Sequence, residues 1–153
     1  MVPLLLAVHT LGAVIWVGGM FFAHMALRPA LAETSPAERL ALWRRVFPRF
    51  FRWVWISVVA LLITGYAVIV WGYGGFAGLA PHINIMQATG LLMIVLYVYL
   101  YFGPYRAFQQ AMADGDLAGA ASEQAKIRQI ITINLPLGLL TSAIGATGGF
   151  WTY

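Results

Sequence analysis

Three histidines and six methionines stand out in a chain that has no cysteine. Imidazole and thioether are the donors that Cu(I) or haem iron accepts. Their spacing is suggestive. His82, Met86, Gly90, Met93 and Tyr97 recur at helical intervals and form one stripe, and His9, Gly12, Trp16 and Gly19 form another. If the stripes face each other, His9, His82 and Met86 converge, with Met86 nearer the depth of His9 than His82 is. Gly12 and Gly90 then leave room for a flat macrocycle. Met93, Gly12 and Gly90 nevertheless read first as packing, because small residues let spanning helices approach closely. Met20 and His24, at i and i+4, form a second His/Met pair. His24 lies ~22 Å along a helix from His9, so those two cannot share one ion. The plain alternative for His24 is an interfacial helix end. The missing cysteine excludes disulfides, thiolate metal sites, cysteine nucleophiles and cysteine-ligated iron–sulfur clusters.

The elements that hold these side chains follow from composition and charge. Hydrophobic residues make up 61% of the 153 and charged residues 9%, and the mean hydropathy is +0.81. A soluble domain carries about a quarter charged residues, and a disordered chain is less hydrophobic than this. Both are excluded. No charged residue falls in Met1–Leu27, Trp53–Tyr105 or Gln129–Tyr153. A membrane span needs ~20 apolar residues. The outer two stretches fit one span each, and the middle one fits two around the glycine-rich turn from Trp71 to Pro81. The expected architecture is all-α: one integral membrane four-helix domain over 1–153, with spans at about 3–27, 52–72, 82–103 and 128–150. The first span lacks the basic n-region of a signal peptide and reads as uncleaved.

All nine basic residues lie in the two segments that an even number of spans places on one face: Arg28 to Arg52, and Arg106 to Arg128. The positive-inside rule makes that face cytoplasmic, with both termini outside. Trp71, Tyr73, Phe76, Trp151 and Tyr153 suit an outer aromatic belt, and Trp43, Trp53 and Trp55 an inner one. Ser35-Pro-Ala-Glu38 reads as a capping box. It opens an amphipathic segment at about 36–49, whose Leu40, Trp43 and Phe47 share a face, as in a short helix lying on anionic headgroups. Gly115 breaks the second segment, and Asp116 caps the helix after it. With no carboxylate, Lys or Arg in the spans, a proton or ion pathway built on intramembrane acids is not expected. His9, an imidazole in the apolar zone, reads as functional. Asn134 and Thr141 read as hydrogen-bonding across helices, Pro136 as a kink, and Gly138, Ser142, Gly145 and Gly149 as a close-packing face. The basic residues are too few and too tied to topology for a nucleic-acid partner.

The stretch Leu4-Leu-Leu-Ala-Val-His9-Thr-Leu-Gly-Ala-Val-Ile-Trp16-Val-Gly-Gly19-Met, with Leu27-Arg-Pro-Ala-Leu31, Trp43-Arg-Arg-Val-Phe-Pro-Arg-Phe50 and His82-Ile-Asn-Ile-Met-Gln87, resembles the bacterial copper resistance protein D family over nearly the whole chain. That resemblance implies a multi-pass protein of the bacterial inner membrane linked to copper movement; the termini placed outside by the positive-inside rule are then periplasmic, and a periplasmic copper-binding protein is an expected partner. The same elements resemble, more distantly, the HemJ-type protoporphyrinogen oxidases, four-span haem b proteins with a histidine in the first span, which His9 matches. That family commonly carries a Trp-x-His-x-Lys pattern opening span three. Here His82 is kept and Asn84 stands at the lysine position, so this resemblance does not carry the oxidase activity and leaves haem binding open.

Three readings follow. In the first, His9, His82 and Met86 take copper at the outer half, with Met20 and His24 as an inner site. In the second, the cofactor is haem b, with His9 and either His82 or Met86 as axial ligands, and the protein is a membrane oxidoreductase passing electrons to a quinone. In the third, it is an accessory membrane protein without cofactor. All three share the lipid bilayer as partner and admit a homo-oligomer.

Overall fold

A computed structural model describes residues 1–152 as four long helices, α1 (Val2–Ala30), α2 (Pro36–Gly72), α3 (Pro81–Asp114) and α4 (Leu117–Phe150). Each is long and apolar enough to cross a membrane, and no strand occurs among the described residues. Tyr153, expected in the outer belt, lies outside the described residues.

Helix ends follow local chemistry. The capping box forms in full: Glu38 N–H donates to Ser35 Oγ at 3.3 Å, and Ser35 N–H donates to Glu38 Oε2 at 3.1 Å. Between α2 and α3 the turn uses Gly74, Gly75 and Gly78 at φ of 77°, 118° and 73°, conformations that side chains with a Cβ rarely adopt. Asp116 accepts from Gly119 N–H at 2.9 Å and starts α4 directly after the turn at Gly115.

Adjacent helices run antiparallel, so every charged side chain collects at one end of the bundle. The extra length of the helices is at this charged end. At ~1.5 Å per residue the 37 residues of α2 reach ~55 Å, against an apolar bilayer core of ~30 Å. The amphipathic segment expected at 36–49 is therefore not a separate helix on the headgroups. It is the first part of α2, which continues unbroken through Pro48 into the span. Its apolar face turns inward: Leu40, Trp43 and Phe47 are buried. Trp43, expected in the inner belt, instead stacks on Phe47 at 4.9 Å between centroids, whereas Trp53 is exposed.

Two helices change pitch near prolines. α1 widens to a π-helical turn at Ala23–Leu27, just before Pro29, and α3 does so at Tyr101–Tyr105, around Pro104. Proline removes an N–H and crowds the carbonyl one turn back, and a widened turn relieves both. α4 runs through Pro136 as continuous helix.

The helices pair through small residues. On α1, Gly12 lies against Leu61 and the Ser57 carbonyl of α2, and Gly19 against the Phe50 ring. Gly138 of α4 sits under Val17 of α1 and Met93 of α3. The expected cross-helix bonds form: Asn134 Nδ2 donates to the Met93 carbonyl at 3.3 Å, and Thr141 Oγ1 lies 2.7 Å from Thr89 Oγ1. At the charged end, Phe47 and Phe51 of α2 stack at 5.3 Å and meet Tyr97, Tyr101, Tyr105 and Phe108 of α3. Tyr97 O–H donates to the Phe51 carbonyl at 3.0 Å, so this buried phenol is satisfied.

Candidate functional site

His9 stands half-buried on α1 toward the uncharged end and packs on α2. Its Nδ1 is 3.0 Å from Thr64 Oγ1, and its Cε1 lies 3.1 Å from where a Cβ on Gly65 would stand. The Thr64 hydroxyl donates its single proton to the Ala60 carbonyl at 2.6 Å. It can therefore only accept from the histidine. That places the ring proton on Nδ1 and leaves Nε2 with a free lone pair. Thr64 and Gly65 escaped sequence reasoning. The available signal was a hydroxyl beside a glycine in an otherwise apolar span.

His82 and Met86 stand one helical turn apart on α3 and pack on α4. The His82 ring fills the place of a Cβ on Gly148 and lies edge-on to Trp151 at 6.1 Å. The Met86 Sδ would lie 3.3 Å from a Cβ on Gly145, and its Cε 2.8 Å. Glycine at 145 and 148 is what admits these two side chains between α3 and α4. Gly145 was expected as a packing glycine. In the last turn the close contact falls on Gly148, while Gly149 has no neighbour within 4 Å of a Cβ position. The α3 stripe thus delivers His82, Met86 and Met93 to α4, and the α1 stripe delivers His9, Gly12 and Gly19 to α2, so the two stripes do not face each other along their length as the spacing suggested. Trp16 and Tyr97, edge to face at 6.0 Å, join the two. Gly12 receives Leu61 rather than a vacancy, while Gly90 has nothing within 4 Å of a Cβ position.

Met20 is buried in the core at 2% exposure. His24 sits in the π-helical turn of α1 and lines a cavity at the charged end together with Arg28, Arg39 and Arg128. Among the described residues, no three His, Asp or Glu side chains gather as a metal cage.

Residues 44–147, more than half of the chain, match the family model described as copper resistance protein D. The chain belongs to the copper resistance protein D family. No match was found among curated proteins or among solved structures. Family membership and the four apolar helices identify a multi-pass membrane protein in copper resistance. The family match carries copper and lends no support to haem b. Matched residues include His82, Met86 and Gly145, while Gly148 follows the matched region and His9, Met20 and His24 precede it.

Proposed function

We propose that this copper resistance protein handles copper at the uncharged end of its bundle, with His82 and Met86 as a ligand pair and His9 as a third donor through Nε2. The observation that carries the reading is the pairing of an imidazole and a thioether one turn apart on α3, each seated on a glycine of α4. Soft, neutral donors select Cu(I), and no cationic side chain lies in the charge-free stretches around them to repel it. Copper is the cargo. In this reading the bundle is one domain in the bacterial inner membrane, with both termini periplasmic and a periplasmic copper-binding protein delivering the ion. Met20 and His24 are the inner His/Met pair at i, i+4, and passage across the membrane requires an inner acceptor such as they would form.

Two measurements test this. Purified protein is titrated with Cu(I) against a chromogenic chelator. His82→Ala and Met86→Leu should each lose most of the affinity, and His24→Ala should leave it intact while impairing copper-dependent growth. Affinity unchanged in both outer variants, or a Soret band in the purified wild type, overturns the reading. For topology, a reporter inserted at residue 115 should read cytoplasmic and one fused after residue 153 periplasmic. The reverse pattern would place the ligand pair on the wrong face.

A further inference from the structure

At the charged end, where the last turns of α1 meet the first turns of α2 and α4, there is a cavity of about 470 Å³. Its polar lining is cationic or hydrogen-donating: His24, Arg28, Arg39, Trp43, Gln124 and Arg128. None of the five acidic residues of the chain lines it. Among the described residues the salt bridge that forms is Lys126 to Glu123, so these arginines have no carboxylate partner. Two donors are also buried without an acceptor, Arg39 Nε and Trp43 Nε1. Arg39 spends a different nitrogen, Nη2, on the Thr34 carbonyl at 3.3 Å. Trp43 is buried, and its indole N–H can only donate. Unpaired donors at such a depth are costly unless an acceptor arrives. Ala121 and Ala125 keep the space open on the α4 side, and Phe47, Phe50 and Ile131 give the remainder an apolar lining.

We propose that this cavity binds a phosphate group, held by Arg39 and Arg128 with the Trp43 indole N–H. The guanidinium fork matches phosphate oxygens two at a time, and a compact anion with several acceptor oxygens satisfies both orphaned donors. A cavity that combines this cationic lining with aromatic and aliphatic walls suits the headgroup of an anionic phospholipid, and basic pockets between spanning helices take such headgroups. Free phosphate shares the chemistry and lacks the acyl chains. The inference is independent of the copper reading.

The test uses the full chain in neutral detergent, with phosphatidylglycerol, phosphatidylcholine and inorganic phosphate as probes, read by native mass spectrometry and by thermal shift. Phosphatidylglycerol should be retained and stabilising, and phosphatidylcholine should not. Arg39→Gln with Arg128→Gln should weaken retention by about tenfold for each arginine. Arg45→Gln with Arg49→Gln removes the same charge outside the cavity and should change little. Trp43→Phe keeps the ring, removes the N–H and should also weaken retention, which decides the matter if the double-arginine variant does not fold. Displacement of the lipid by millimolar phosphate would support the site with a soluble ligand as its source, and no displacement would support the lipid. Equal retention of the two lipids, equal loss in both double variants, or wild-type retention by Trp43→Phe and the folded cavity variant would overturn the proposal.

Discussion

The two ends of the bundle solve opposite problems. At the charged end, helices extend past the apolar zone and are bound together by rings: Trp43, Phe47, Phe51, Tyr105 and Phe108 are buried in continuous contact. At the uncharged end, glycines receive side chains from neighbouring helices, among them His9, Met86 and His82. The first arrangement stores stability, since large buried rings contribute the most apolar burial. The second admits polar and sulfur-bearing side chains between helices, since a seat without a Cβ accepts a side chain that a larger residue would exclude. Electrostatics divides the ends in the same way. Neutral soft donors far from any cation suit a metal ion, and a rim of unpaired arginines suits an anion.

The strongest way to break this division is Phe47→Ala. Truncating a fully enclosed ring should cost about 3–5 kcal/mol, measured by reversible unfolding in mixed micelles. The Cu(I) affinity of the protein that remains folded should be unchanged. If copper affinity falls in proportion to stability, the two ends are one cooperative unit and their roles cannot be assigned separately.

A sharper probe acts at the uncharged end alone. Thr64→Val keeps the shape of the side chain and removes the acceptor that holds the His9 proton on Nδ1. Partners of this kind, one step removed from a metal, typically matter by 10–100-fold in metal affinity. Thr64→Val should therefore weaken Cu(I) binding by about 10-fold or more, with little change in helix content by circular dichroism. Unchanged affinity would remove His9 from the donor set and leave His82 and Met86 as the pair.

How much of this was legible in the sequence depends on the range of the interaction. The four long apolar helices, the capping box at Ser35, the break at Gly115 and the cap at Asp116 are local or compositional, and they form as read. Asn134 and Thr141 could be named as cross-helix donors because a lone polar group in an apolar run needs a partner, although the partner itself could not be read. The amphipathic segment shows where local reading stops. Leu40, Trp43 and Phe47 form an apolar stripe whether they face lipid or protein. Only the presence of Tyr105 and Phe108 on the extended α3 decides for protein. The candidate ligands fail to announce their partners for the same reason. Helical spacing tells which residues share a face but not which neighbour that face meets. His9 meets α2 and His82 meets α4, relations set by the packing of the whole bundle.

The smallest expected effect lies between the two ends, at Asn134, which is buried where α3 and α4 cross. Its Nδ2 makes one long bond of 3.3 Å to the Met93 carbonyl, and its Oδ1 is buried with no partner. The Met93 carbonyl sits inside a helix and already takes a backbone N–H, so losing the side-chain bond orphans nothing. Hydrogen bonds between spanning helices average about 0.6 kcal/mol, and the unpaired oxygen offsets part of even that. Asn134→Leu, close in volume and free of the unpaired acceptor, should thus change stability by less than about 1 kcal/mol. A loss of several kcal/mol on unfolding would mean that Oδ1 is paired in the membrane, by a water molecule or a second chain. The junction would then be a polar link between the uncharged end and the charged end instead of a neutral spacer.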